Sequence, residues 1–425
     1  MNSINLNKIS NTYILPIIYY IGLIIVLISW ENTEIAPNII YRSIYLIAFF
    51  LPLYLKYLNW TPILLTCFYI ISSTGYAYNY FPTELYIYVI ILFLGLFLNK
   101  NKLKLPYIII IMIIYISVID LINNLKIENI SYSLIIITFL FYFVDYKKID
   151  IQKKISFSFI IASLLISILL VLNVSKFSYN YGYGFERVSW NDENYFSTIV
   201  GMGLMCSIVG LFEKNNKKIK LFFILSIILI FISLLFVGSR GALLAISLGT
   251  LIILFVSKIK NKYKFLFATF LILFIFLLYN KGFLDFLLFR IKQDDGTGSG
   301  RLSIWEVKLN YFINNSNFFH LLTGYGNEKG FLLGFQNGKG FHNDFIAFLV
   351  NYGFIGLLLF ITFLTYPIRK VSSQNRWKVI VFSIYFISCS LTIEPITAGR
   401  LPYFLFYLYI LTLSINKEKK SLIKK

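Results

Sequence analysis

Four polar segments interrupt an otherwise apolar chain, and each carries a side chain able to handle an anion or a proton. The first is Phe185-Glu186-Arg187-Val188-Ser189-Trp190-Asn191-Asp192-Glu193-Asn194. The second is the tight turn Gly238-Ser239-Arg240-Gly241. In the third, the Gly-rich stretch Asp294-Asp295-Gly296-Thr297-Gly298-Ser299-Gly300 runs into Arg301-Leu302-Ser303-Ile304-Trp305-Glu306. The fourth, Gly340-Phe341-His342-Asn343-Asp344-Phe345, opens an apolar run that later contains Asn351-Tyr352-Gly353-Phe354-Ile355-Gly356. Guanidinium forks match phosphate oxygens bidentately, so Arg187, Arg240 and Arg301 gathered on one face could hold a diphosphate. His342 stands at the start of a helix, whose positive end disfavours imidazolium. A neutral imidazole near pH 7 can accept a proton.

Taken singly, each residue has a plainer reading. Arg240 serves equally well as an interfacial anchor reaching toward headgroups, and Arg187 as the partner of Glu186 or Glu193. Leu302, Trp305, Leu309 and Phe312 recur at helical spacing, which predicts an amphipathic helix over 301–313 lying on the membrane, with Arg301 on its polar face. His342 then simply precedes a helix capped by Asn343 or Asp344. The chemistry depends on convergence, and convergence depends on the elements that carry these segments.

Those elements are membrane spans. Of the 425 residues, 58% are hydrophobic and only 14% charged, and 43 Phe and 32 Tyr exceed what one soluble core can bury. The mean hydropathy is +0.75. Stretches near the ~20 apolar residues that cross a bilayer follow one another almost end to end. The expected fold is all-α: a polytopic helical bundle of about 14 spans, near 13–30, 39–58, 62–77, 84–98, 106–122, 130–144, 155–173, 195–212, 219–237, 241–257, 264–279, 344–366, 379–393 and 402–415. Hydrocarbon cannot satisfy a free backbone amide, and the period-2 alternation of a barrel is absent. Residues 1–154 form an N-terminal set of six spans, and 155–425 a C-terminal set carrying the four segments and one large loop, 280–342. The first run is read as a retained span, and the three cysteines, all within apolar runs, as packing residues.

The net charge of +20 does not indicate nucleic acid, because the lysines cluster between apolar runs. With the N-terminus inside, inner connections hold 26 of the 39 Lys and Arg, against 6 in the outer connections other than the long loop. The positive-inside rule then puts both termini in the cytoplasm and all four polar segments on the outer face. Ionisable residues are nearly absent from the middle of the runs, which disfavours an ion-coupled transporter.

The last three segments together resemble the O-antigen polymerase and O-antigen ligase family of bacterial membrane glycosyltransferases. Ser239-Arg240-Gly241-Ala242-Leu243-Leu244-Ala245 resembles its Ser-Arg-Gly/Ala turn opening a span, and Arg301 with Trp305 its Arg and Trp in the large outer loop. His342-Asn343 followed by Gly353-Phe354-Ile355-Gly356 matches the family's order and spacing, and the segment around Arg187 and Asn194 is a weaker upstream element. The resemblance covers about 185–366.

It implies a GT-C-like, metal-independent enzyme without a cofactor, working at the outer face of the bacterial inner membrane, toward the periplasm or exterior. The donor would be a glycan on undecaprenyl diphosphate. Arg240 and Arg301, with Arg187, would hold the diphosphate leaving group, and His342 would orient or deprotonate the acceptor hydroxyl. Asn194, Trp305 and Asn343 would contribute to substrate binding. A polymerase (of O-antigen or capsule) takes a second lipid-linked repeat unit as acceptor, while a ligase takes lipid A–core; the span count leans toward the polymerase. The loop cations Lys281, Arg290, Lys292, Lys308, Lys329 and Lys339 could meet either acceptor. Membrane lipid and a chain-length regulator are further expected partners.

Two other classes use the same lipid-linked glycan. A flippase predicts two-fold internal similarity and midplane charge, and neither is evident. A protein O-oligosaccharyltransferase typically has additional outer sequence for its protein acceptor, whereas little follows the last expected span here. The topology itself is testable. An impermeant thiol reagent should label Ser299→Cys in intact cells, after permeabilisation of an outer membrane where one is present; labelling only after the inner membrane is breached reverses the orientation.

Overall fold

The computed structural model describes residues 106–124, 151–172, 178–182, 185–188, 193–213, 216–257, 260–282, 284–292, 300–335, 340–371 and 376–393. The expected spans 13–30, 39–58, 62–77, 84–98, 130–144 and 402–415 lie outside these, and so do both termini. The other eight expected spans coincide with helices: α1 (Tyr107–Asn124), α2 (Ile151–Leu172), α3 (Glu193–Leu211), α4 (Lys217–Val237), α5 (Arg240–Val256), α6 (Asn261–Asn280), α11 (Asp344–Lys370) and α12 (Arg376–Thr392). Of these, α4, α6, α11 and residues 155–172 of α2 are long and apolar enough to cross a membrane; α1, α3 and α5 contain shorter apolar helices. Helix dominates, with one addition to the all-α expectation. Strands β1 (Ser178–Gly182) and β2 (Phe185–Val188) form an antiparallel hairpin that pairs Tyr179 with Arg187.

The central helix is α3, buried without interruption from Phe196 to Gly210. Its small residues let neighbours approach closely, as expected where helices pack without help from water. Gly203 faces Ser163 and the Phe159 carbonyl of α2, Gly210 faces the Phe223 ring of α4, and Gly201 faces the Tyr385 hydroxyl of α12. That hydroxyl donates to the Thr198 carbonyl at 2.7 Å. One large apolar cluster joins α1 to α6 with α11 and α12.

Turns and polar pairs divide the bundle into two ends. The starts of α4 and α12 lie at one end, where Lys378 pairs with Glu213 just after α3. The start of α3, the α4–α5 turn and the finish of α12 lie at the other, with the four polar segments. Gly238 makes the turn in left-handed conformation (φ 63°), closing α4 with its N–H on the Leu234 carbonyl.

Residues 280–342 hold more than the one expected amphipathic helix. They contain α7 (Asp285–Lys292), α8 (Arg301–Asn315), α9 (Phe318–Thr323) and α10 (Asn327–Leu332). A second, smaller apolar cluster forms here from Phe312, Leu333, Phe341, Ala347 and Val350. Its last two residues belong to α11, and they explain why the expected single span 344–366 is not continuous.

The 27 residues of α11 would measure about 40 Å as one helix, more than ~30 Å of hydrocarbon requires. The helix breaks at Gly353 (φ 65°, ψ −170°). A break strands main-chain carbonyls, and in an apolar setting each needs a new donor. Tyr325 N–H reaches the Val350 carbonyl at 3.2 Å, and Gly326 N–H the Asn351 carbonyl at 2.8 Å. The Tyr115 hydroxyl of α1 reaches the Tyr352 carbonyl at 2.8 Å. The first half of α11 is thereby part of the loop assembly, and the second half continues as the span.

Close approach at the break requires two glycines. A Cβ on Gly353 would collide with the Leu322 carbonyl, and one on Gly324 (φ 77°) with the main chain of Asn351. Gly353→Ala should therefore cost about 2 kcal/mol or more, from left-handed strain plus the clash. A lowered unfolding temperature in detergent would register this; an unchanged one would show that the junction can relax.

Candidate functional site

The four polar segments are connected by a continuous series of contacts at one end of the bundle. Asn194, in the first turn of α3, accepts a hydrogen bond from Ser239 Oγ at 3.0 Å on its Oδ1. Ser239 is the N-cap of α5, so this bond fixes the residue immediately before Arg240. Gly241 follows and lies directly against the Thr392 side chain at the finish of α12, where a Cβ would collide. Arg301 reaches the same residue from the loop: its Nη1 donates to the Thr392 carbonyl at 2.6 Å. One turn further along α8, the Trp305 indole N–H donates to the Phe341 carbonyl at 2.6 Å, holding the residue before His342. The turn bearing Arg240, the start of α8 and the segment bearing His342 are thus tied to one another within a few residues.

His342 is half-buried, with φ 51°, and among the described residues it alone combines a side chain with positive φ. Such backbone is sparsely populated and persists where the surroundings enforce it. The enforcement is visible on both sides. Trp305 grips the preceding carbonyl, and Asn343 caps α11, its Oδ1 accepting from Phe345 N–H at 2.9 Å and Ile346 N–H at 3.2 Å. This settles the cap in favour of Asn343, with Asp344 fully buried as the first helical residue.

Three of the expected substrate-binding residues therefore have internal contacts: Asn194 holds Ser239, Trp305 holds Phe341, and Asn343 caps α11. Their geometry suits them to framing the arginines and the histidine. Arg187 lies on β2, a strand that packs against α4; its side chain is outside the described residues.

Helix α8 departs from expectation in its inward face. The predicted apolar stripe was Leu302, Trp305, Leu309 and Phe312, with Arg301 on the polar side. Leu302 is exposed, and Arg301, Trp305, Lys308 and Phe312 turn inward. Lys308 corrects a specific expectation, since it was counted among cations available to an acceptor. It is fully buried. Its ammonium donates to the carbonyls of Phe331 (2.8 Å), Gly330 (3.0 Å) and Leu333 (3.4 Å) at the finish of α10, where Gly330 also accepts from the Leu333 N–H. The Phe341 ring lies 4.3 Å from the same nitrogen, adding a cation–π contact. Lys281, Lys292 and Lys329 remain exposed, while the side chains of Arg290 and Lys339 are outside the described residues.

Sequence reasoning missed two polar contributors. Thr392 acts through its carbonyl, which no residue type signals. Asp120 had a signal, a lone carboxylate flanked by Ile119 and Leu121 near the finish of a span, and it is fully buried.

The architecture is that of a helical membrane protein whose polar turns meet at one end beside a helical loop assembly. Residues 225–361 match the family model described as O-antigen ligase, which bears out the resemblance to the O-antigen polymerase and ligase family. The match spans Arg240, Arg301, His342 and the break at Gly353, while Asn194, Arg187 and Asp120 fall outside it. A search of curated proteins finds no match.

Lys308 gives the sharpest test of the corrected reading. Lys308→Met leaves the Phe331 and Leu333 carbonyls without the ammonium donor and should destabilise the loop assembly by about 2–3 kcal/mol. Faster amide exchange over 327–335 would be the signature. A variant that only weakens acceptor binding, with exchange unchanged, would restore Lys308 to the acceptor surface.

Proposed function

We propose that this chain is a polymerase that extends a glycan carried on undecaprenyl diphosphate, acting at the outer face of a bacterial inner membrane. A hydroxyl of one lipid-linked repeat unit attacks the anomeric carbon of the donor glycan. The new glycosidic bond forms as the bond to the diphosphate oxygen breaks. The two electrons of that bond leave with undecaprenyl diphosphate, and the acceptor proton passes to a base.

The observation that supports this reading is the contact series Asn194–Ser239, Gly241–Thr392–Arg301 and Trp305–Phe341. It gathers Arg240, Arg301 and His342, which lie far apart in sequence, around one end of the bundle. The Arg301 guanidinium is held through Thr392 and Arg240 follows a residue fixed by Asn194, and charge placed in advance where a diphosphate develops lowers the barrier most effectively. Arg240 and Arg301, with Arg187, neutralise the leaving group. His342 receives the acceptor proton, and the enforced backbone at that position fixes where its side chain leaves the main chain. The half-buried setting of these residues limits water, which would otherwise compete with the acceptor hydroxyl.

A second reading, transfer to lipid A–core, is favoured by the ligase description of the matched family. It requires the same donor chemistry with a different acceptor. Purified protein incubated with the lipid-linked repeat unit alone separates the two: lengthening chains identify a polymerase, and reaction only on addition of lipid A–core identifies a ligase. Arg240→Lys and His342→Ala should each lower turnover by roughly a hundredfold or more while inserting normally. Undiminished glycan ladders from both variants in cells lacking the native protein would overturn the assignment of the site.

A further inference from the structure

Asp120 belongs to none of the four polar segments, sits in a span that the family match does not reach, and yet is fully buried among the elements that support them. It lies in the last turns of α1. Its Oδ1 accepts from the main-chain N–H of Asn327, the first residue of α10, at 3.1 Å. Its Oδ2 accepts from the Tyr352 hydroxyl at 3.3 Å. One carboxylate therefore binds both the loop assembly and the residue immediately before the break in α11.

These two bonds close a circuit. From Asp120 the contacts run to Asn327 at the start of α10. The carbonyls at the finish of α10 bind Lys308 on α8. From Lys308, one turn of α8 leads to Trp305 and two to Arg301; Trp305 holds the Phe341 carbonyl beside His342. Asn343 then caps α11, and the first half of α11 returns to Tyr352 and Asp120. A parallel strut closes across the middle, where Asn351 Nδ2 donates to Asn327 Oδ1 at 2.9 Å. Each link is a hydrogen bond or a stretch of helix, so the angle at which α10 seats is passed to α8 and to the start of α11.

We propose that Asp120 is a positioning residue: it latches the loop assembly onto the span bundle at the break in α11, and so sets where Arg301 and His342 stand relative to Arg240. The latch rests on the reading of these three residues given under Proposed function. A carboxylate suits the task because it is acceptor-only, with two oxygens that point to different elements. Bonds to a charged acceptor are also the stronger kind, so few others at this junction would substitute. Asp120 has no part in the chemistry itself, being fully buried with both oxygens engaged.

The experiment compares Asp120→Ala, Asp120→Asn and Tyr352→Phe in purified full-length protein, by amide exchange and by turnover. Asn retains an oxygen for Asn327 N–H, and its amide can donate to the Tyr352 hydroxyl oxygen, so it is the conservative rescue. Asp120→Ala should speed exchange over 324–332 by about tenfold or more while α3 and α12 keep their protection. Tyr352→Phe should give a smaller rise, and Asp120→Asn should stay near the parent. In the lipid-linked repeat assay, kcat of Asp120→Ala should fall roughly tenfold to a hundredfold with a much smaller change in KM, and Asp120→Asn should recover most of it. Unchanged exchange over 324–332, an equal rise across α3 and α12, or loosened exchange with kcat intact would each overturn the latch. Should the parent transfer no glycan at all, the reaction assigned above fails by itself, and the exchange measurements still decide whether Asp120 seats the loop.

Discussion

A main chain broken within an apolar bundle has to find new hydrogen-bond donors, and the break in α11 at Gly353 imposes that requirement on everything around it. Three consecutive carbonyls, of Val350, Asn351 and Tyr352, take their donors from Tyr325, Gly326 and Tyr115. Two of the donors come from the loop and one from a span. The demand of the backbone, together with the bonds of Asp120, docks the loop onto the membrane helices. With the loop seated, α8 and the start of α11 are held side by side, and Arg301 and His342 follow from their positions on those elements.

The site end combines rigidity with strain in a way that suits catalysis by fixed charge. Arg301 is anchored through Thr392, Ser239 through Asn194, and Phe341 through Trp305. Between these anchors His342 keeps a backbone conformation that side chains rarely adopt. Preorganisation of this kind means that the arrangement exists before a substrate arrives, so little reorganisation remains for the reacting complex. Cations that a composition-level view assigns to substrate divide accordingly: Lys308 holds the scaffold, and Lys281, Lys292 and Lys329 stay at the surface.

Much of this was legible in the sequence because membrane spans announce themselves by length and hydropathy. Eight expected spans coincide with described helices, and the Gly353–Gly356 element was visible as a distinctive feature of its run. The break itself was not legible. A glycine in an apolar run signals permission to bend, whereas the bend is enforced by loop residues 325 and 326, far outside any local window. The inward face of α8 was legible only in part, for a related reason: Trp305 and Phe312 turn inward as their spacing suggests, but Leu302 does not. Hydrophobicity put Leu302 inside and left Arg301 outside, but the carbonyls of Thr392, Gly330 and Phe331 reward a donor on the inner face. Spacing alone would have set Arg301, Trp305, Lys308 and Phe312 on one side; only the knowledge that acceptors waited there could choose it. Likewise the hairpin at 178–188 lies in a polar connection whose short strands carry no strong alternation.

The pairing of Asp120 with Asn327 also bears on how the chain is assembled during translation. Their 207-residue separation means that α1 leaves the ribosome about 10–40 s before its partner exists, at ~5–20 residues per second. Throughout that interval the carboxylate must stay hydrated or borrow a temporary partner at the bilayer surface. Seating of the loop therefore waits on translation, since a segment made later has to return to a helix already inserted.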